Sequence, residues 1–347
     1  MHDSDAAEHA ASPKKTARDW MKILAAYREP HHGRSALELA ITLIPFFALW
    51  FAAAFAVRVN YWLPFLFSIP AAVFLVRIFI IQHDCGHGSF FRNKALNNWV
   101  GRALGILTMT PYDVWKRSHA IHHASSGNLD KRGTGDIAVL TVREYQNKSK
   151  FGQFMYRLYR HPLTLFVLGP FYIFVIRQRL PENVKFKHPR QWLSAMATNA
   201  AIACVVFLVI YVFGLKSFLI VYLPITIMAS TIGVWMFYVQ HQFEDTQWDD
   251  SDEWSMHEAA LHGSSFYDLP GFLRWLTGNI GIHHVHHLYA RIPFYRLPKV
   301  LKENPALGEI KRVTLWESFK CANLKLWDEG SRRLVTYKQA RAIMAAV

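Results

Sequence analysis

Four apolar stretches, roughly 37–57, 63–81, 195–213 and 218–239, dominate the chain. Each is long enough to cross a bilayer, which takes about 20 helical residues. A segment in hydrocarbon must satisfy its backbone polar groups internally, so each stretch is predicted to be a helix. The first two are joined by Arg58-Val-Asn-Tyr-Trp62 and the second two by Gly214-Leu-Lys-Ser217. Connectors this short turn each pair back on itself. The expectation is an all-α membrane protein with two transmembrane helical hairpins, hence four spans. A fifth apolar run, 162–176, is shorter and contains Gly169-Pro170; it is expected to lie at the interface or re-enter rather than span. Arg77 is read as the one charge inside a span.

Lys and Arg sort the two sides of the membrane. Six precede the first span, seventeen lie between His83 and Arg190, and thirteen follow Val239, whereas the two connectors carry only Arg58 and Lys216. Both termini and the intervening polar loops are therefore expected on the cytoplasmic side. The net charge of +14 follows from this orientation; an acidic electron carrier would give part of it a second use. Nothing resembles a nucleic-acid-binding motif. A hydrophobic share of 52% suits a membrane protein with sizeable polar loops. The three cysteines are far apart and suggest neither disulfides nor a thiolate metal site, which fits a reducing compartment. Residues 1–17 are polar, lack the apolar core of a secretory signal and are expected to be a disordered tail. The chain divides into a polar cytoplasmic segment, 1–35, a membrane domain, 36–300, and a cytoplasmic helical segment, 301–347. Leu315, Phe319, Leu326 and Trp327 suggest one amphipathic helix in the last.

Three histidine clusters lie just past, or between, the apolar stretches: His83-Asp-Cys-Gly-His87, His119-Ala-Ile-His122-His123 and His283-His284-Val-His286-His287. Residues i and i+4 share a helix face, so His83 and His87 can reach one ion if the second span continues past its apolar part. Thr110-Pro-Tyr-Asp113 reads as a helix start with Thr110 as N-cap, and Gly127 as its stop. A helix over 111–126 puts His119, His122 and His123 on one stripe. His283, His286 and His287 repeat that spacing, and Pro293 ends their segment. His284 stands about 100° round the helix from His283 and is set aside as a residue that supports a ligand or packs. His241 follows the fourth span as His83 follows the second, which makes it a ninth candidate. Nine imidazoles are too many for one ion and suit two. The all-nitrogen ligand pattern disfavours iron–sulfur and does not suit Mg or Ca. A closed zinc site needs four ligands, and haem uses isolated axial ones. Iron held by imidazole, with positions left for oxygen, matches best. Asp84, Asp113, Asp136 and Glu244 are candidates to accept imidazole N–H bonds.

The segments QHDCGHGSFFR (82–92), SHAIHHASSGNLDKRGTGDIA (118–138), YVQHQFEDTQW (238–248) and GNIGIHHVHHLY (278–289) resemble the membrane fatty-acid desaturases. Their wording is closest to the bacterial acyl-lipid branch, over about residues 37–300, which implies a bacterial inner membrane. The resemblance implies two Fe ions, O2 as co-substrate and removal of two hydrogens from an unactivated acyl chain. Carried over by position, the ligands are His83, His87, His119, His122, His123, His283, His286 and His287, with His241 matching a further ligand. Where the acyl-CoA branch has an Asn acting through water, this chain has Phe237, so that contact is not carried over. No cytochrome b5 motif is present. A separate electron donor of the ferredoxin type is therefore implied, with a fatty acyl lipid as substrate and membrane lipids as surroundings.

No amino-acid side chain can take hydrogen from a methylene, so the chemistry belongs to the metal, with the protein supplying placement. Tyr112, Trp115, Trp235 and Phe243 lie near the ligands in sequence and are candidates to line an apolar substrate tunnel. A hydroxylase or ketolase built on the same site is the alternative within enzymes. A metal transporter is the distant one, since transport sites lie at mid-membrane between broken helices.

Overall fold

The computed structural model describes residues 15–133, 135–181 and 188–346; the expected polar tail, up to residue 14, lies outside them. Helices His32–Ala56 and Leu63–His87 each run 25 residues, about 37 Å at 1.5 Å per residue. They outreach the roughly 30 Å hydrocarbon core. Between them Asn60 Oδ1 accepts the N–H groups of Trp62 and Leu63 at 2.9 and 2.7 Å, which starts the second helix. That helix ends only at Gly88, whose φ of 68° is the left-handed conformation a glycine C-cap supplies. It thus continues six residues past its apolar part and carries His83 and His87, as the spacing required.

Helix Pro189–Ser217 breaks at Gly214 (φ 83°, ψ 161°) and is followed by a wide turn over Phe218–Tyr222 and helix Leu223–His241. The break lies in the predicted connector. Lys216 Nζ reaches Tyr61 Oη at 3.1 Å, and Phe213 packs edge-on against Trp50 at 5.3 Å. The turn at 214–217 therefore sits beside the 58–62 connector, at the end of the molecule away from the histidines. Lys150–Tyr159 and Thr164–Arg179 form a bent pair at 58°. The molecule is a mostly helical, multi-pass integral membrane protein with three to four long apolar helices.

Several expectations need correction. Glu38 lies inside the first apolar segment, so Arg77 is not the only charge there. Both are buried, the Arg77 guanidinium pairs with the Glu38 carboxylate, and it also donates to Thr42 Oγ1 and to the carbonyl of Trp275. A charge in an apolar segment is tolerated only with such a partner. Nor is the chain all-α: Leu140–Thr141 pairs parallel with Leu326–Asp328, which pairs antiparallel with Arg333–Val335. A second small sheet pairs Phe266–Asp268 with Arg312–Thr314. The C-terminal segment is therefore not one helix. A short helix Leu315–Cys321, opened by a Thr314/Glu317 capping box, precedes the strand that holds Leu326 and Trp327, and helix Tyr337–Ala346 follows. The apolar residues taken for one helix face belong to a helix and a strand, which local spacing does not distinguish.

Arg160 locks this segment to the rest. Fully buried, it donates to Gln242 Oε1 at 2.7 Å, Tyr238 Oη at 3.1 Å and the Leu324 carbonyl at 3.0 Å. It fastens the end of the helix that carries His241 to the C-terminal strand region.

Candidate metal centre

The helix bearing the second cluster runs Tyr112–Ser125, with Pro111 rather than Thr110 at the cap position; the Thr110 hydroxyl instead donates to the Thr108 carbonyl. Gly127, with φ 76°, follows its end as expected. Helix His283–Leu288 carries the third cluster. These two short helices meet the ends of Leu63–His87 and Leu223–His241, and all nine predicted imidazoles come together there.

They form two groups, each with ring nitrogens within 4.8 Å of one another: His83, His87, His119, His123 and His286 in one, His122, His241, His283 and His287 in the other. The triplets do not act as single stripes. At about 100° per residue, i and i+4 diverge by about 40°, whereas i+3 lies about 60° to the other side of i. His119 and His123 accordingly serve the five-membered group while His122 turns to the four-membered one. His283 and His287 serve the four-membered group while His286 crosses to the other.

Nitrogen–nitrogen distances in the first group include His87–His119 at 3.0 Å, His119–His123 at 3.1 Å and His123–His286 at 3.2 Å, all between Nε2 atoms. In the second, His241 Nε2 stands 3.1 Å from His122 Nε2 and 3.0 Å from His283 Nε2. His287 Nε2 is buried without a hydrogen-bond partner. A neutral imidazole has one N–H; where Nδ1 carries it, as in His122, Nε2 presents a lone pair, and a cation fits between such converging lone pairs. Imidazole nitrogens at about 2.1 Å from an ion, as on zinc, stand about 3.0 Å apart at right angles. The donor sets therefore fit two metal ions. Burial and the neighbouring imidazoles hold His119, His123, His286 and His287 well below the ordinary histidine range, so they are neutral, as ligands must be.

Of the four acids proposed to orient imidazoles, two do so. Asp136 Oδ1 accepts the Nδ1–H of His122 at 2.5 Å, which fixes the tautomer and leaves Nε2 free to ligate. Asp84 Oδ1 takes the same role toward His83 at a longer 3.3 Å, while its other oxygen accepts the Phe294 N–H at 2.7 Å. Asp113 is instead held by Arg102, and Glu244 is exposed. His284 stands outside both groups: its Nε2–H donates to the Leu307 carbonyl at 2.9 Å, and burial lowers it to about 4.

Among the tunnel candidates, Trp115 stacks on His119 with ring centres 4.7 Å apart. Tyr112 is fully buried and donates to the Cys85 carbonyl at 2.8 Å. Trp235 packs between Phe166 and Phe319, and Phe243 is buried in the core. Sequence reasoning passed over Ser126, whose Oγ lies 3.5 Å from His241 Nδ1; its place directly after the second cluster was the available signal. Phe237 packs against both His122 and His241, at 5.2 and 5.0 Å.

Comparison with known proteins agrees with this geometry. The family described as "Fatty acid desaturase" matches residues 60–318. The chain belongs to the fatty acid desaturase family. It is 45% identical to the "Fatty acid desaturase" of Bacillus subtilis (strain 168) over 322 residues, 93% of this chain and 91% of the relative. It is 28% identical to the "sn-1 acyl-lipid omega-3 desaturase (ferredoxin)" of Synechocystis sp. (strain ATCC 27184 / PCC 6803 / Kazusa), covering 70% of this chain and 68% of that one. It is 27% identical to the corresponding Nostoc sp. (strain 36) protein, covering 83% and 82%. The desaturase is an oxidoreductase that introduces a double bond into a fatty acyl chain using O2, and its histidine clusters are consistent with the family's di-iron centre.

Proposed function

We propose that this desaturase acts on acyl chains already esterified in membrane lipids, with electrons from a ferredoxin-type protein. In this reading one iron is held by His83, His87, His119, His123 and His286, and the other by His122, His241, His283 and His287. When bound, the irons activate O2 and supply the oxidising power that removes hydrogen from a methylene. The protein holds the imidazoles converged, fixes His122 through Asp136, and keeps the four-histidine group away from bulk water. The chain crosses the membrane four times as two hairpins, with both termini and the histidines on the cytoplasmic side under a cap of short helices and strands. The observation that carries the reading is the sorting of nine histidines from four elements into two groups at one end of the apolar helices. The acyl-lipid assignment and the donor rest on the relatives named for that substrate and donor.

The test is expression of the full chain in a host with saturated lipids, with reduced ferredoxin supplied, followed by analysis of each lipid class. The expected product is an intact lipid lighter by 2 mass units. A product heavier by 16 would make the enzyme a hydroxylase, and turnover confined to acyl thioesters would overturn the acyl-lipid assignment. Cysteine labelling from the two sides of the membrane checks the orientation.

A further inference from the structure

We propose that an open basic cleft along the helix that carries His119 and His123 binds the phosphodiester headgroup of the lipid whose chain is oxidised. The inference rests on the acyl-lipid reading above. The cleft, of about 430 Å3, lies where helices Lys94–Leu107 and Tyr112–Ser125 meet the first turn of Pro189–Ser217. Its charged lining is Lys94, Arg102, Asp113, Lys116, Arg117 and Arg190. Asp113 is taken up by Arg102 at 2.9 and 3.2 Å. Among the described residues, the other four cations form no ion pair, so the cleft carries an uncompensated positive charge.

The walls are built rather than loose. Asn98 Oδ1 accepts from Lys116 Nζ at 3.1 Å, with Tyr112 Oη 3.2 Å away. The Asp113 N–H donates to Ser194 Oγ at 3.3 Å, which pins the second-cluster helix to the long apolar one. Gly101 admits the Tyr112 ring, since a Cβ there would come within 2.2 Å of it.

The cleft's level in the membrane selects a lipid. Arg190 opens a helix that is apolar from its second turn onward, where Leu193 is 71% exposed, and Trp99 on the adjoining helix is 68% exposed beneath the Arg102 guanidinium. Apolar and aromatic side chains facing outward directly below a ring of cations mark the headgroup layer. A phosphodiester there meets cations already in place, and its acyl chains begin beside the helix that carries His119 and His123. An acidic protein donor would have to enter the headgroup layer to reach the same cations.

The test uses the full-length protein in detergent and radiolabelled dihexanoylphosphatidylglycerol, with dihexanoylglycerol and inorganic phosphate as separate probes. The wild type should bind the phospholipid at least about tenfold more tightly than the uncharged diacylglycerol, with inorganic phosphate a weak competitor. Lys94→Gln/Arg190→Gln should remove most of that preference, whereas the charge-matched Lys338→Gln/Arg341→Gln should retain it. A preference that survives the first variant, or falls equally in the second, overturns the proposal. In vesicles of saturated phosphatidylglycerol, the first variant should raise KM for lipid. If KM for the reduced donor rises instead, the cleft is a donor surface and the proposal fails. An enzyme that makes no double bond in any lipid would refute the acyl-lipid reading while leaving the binding comparison readable.

Discussion

The five- and four-histidine groups use the same sequence pattern in opposite senses. The second cluster gives its i, i+4 pair, His119 and His123, to the larger group and its i+3 residue to the smaller; the third cluster reverses the assignment. The larger group gains His83 and His87 from a single helix end, while the smaller gains only His241. The smaller is compensated differently: His122 is tied to Asp136 at 2.5 Å, against 3.3 Å for the His83–Asp84 contact of the larger. His122, His241 and His283 are buried, whereas His87, His119 and His123 are half-open. One group is held by number of donors, the other by orientation and burial. Losing one donor should therefore not cost the two groups equally.

The largest effect is expected at His241. His241→Ala leaves three nitrogens in the smaller group, and iron content should fall from two per chain toward one, with activity lost by about 100-fold or more, beyond the range seen for outer-sphere changes. His286→Ala leaves four in the larger group, the number the smaller normally has. Its iron should persist after purification and be lost only to a chelator. Metal analysis before and after chelation reads both; equal losses would show that donor number does not distinguish the groups.

Asp136→Ala comes next. It removes the acceptor that fixes the His122 tautomer, and metal affinity in the smaller group should fall by about 10- to 100-fold. Asp84→Asn, which keeps an oxygen for the Phe294 N–H, should cost the larger group less. Competitive chelation gives the order, and a greater loss from Asp84→Asn would reverse the comparison.

This asymmetry was only partly legible in the sequence. The apolar lengths gave the long helices, and the i, i+4 spacing of His83 and His87 was sufficient because both lie on one continuous helix. The division of His122 from His123 follows from helix geometry and could have been read from the 100° step. Which partner each imidazole meets depends on how Tyr112–Ser125 and His283–Leu288 are set against each other, and that is tertiary. Asp136 and Asp113 looked equivalent because each lies near a cluster in sequence; Arg102, eleven residues before Asp113, decided between them. The Leu326 and Trp327 strand has one partner close by, Arg333–Val335, but its other, Leu140–Thr141, lies far away in the chain, and the local apolar spacing alone did not separate strand from helix. Glu38 was overlooked in an otherwise apolar stretch, although a charge in such a place needed a partner such as Arg77.

A smaller, local effect should appear at Gly86. A Cβ there would come 2.8 Å from the Trp115 ring, which stacks on His119 and packs edge-on to Phe79 at 5.4 Å. Gly86→Ala should displace Trp115, make the iron of the larger group more labile to chelation and lower activity several-fold, with the smaller group unaffected. Adding Trp115→Phe provides room and should restore retention. If the double variant is no better than Gly86→Ala, the tryptophan does not transmit the effect.

His284 should show the smallest effect, and it marks the boundary of both groups. It lies between ligand candidates in sequence, yet its Nε2–H is donated to the Leu307 carbonyl, which joins the third-cluster helix to the 305–309 turn, and its ring packs against Phe266 at 6.0 Å. Gln keeps a donor of similar reach. His284→Gln should therefore retain both irons and nearly full activity, with a stability change no larger than the net worth of one hydrogen bond, about 0.5–1.5 kcal/mol. His283→Ala, one residue away, should lose iron from the smaller group. Thermal unfolding and metal analysis of the two variants side by side separate a ligand from a packing residue within one turn of helix. Loss of iron from His284→Gln would mean that the third cluster contributes all four of its histidines, and the division into five and four would have to be redrawn.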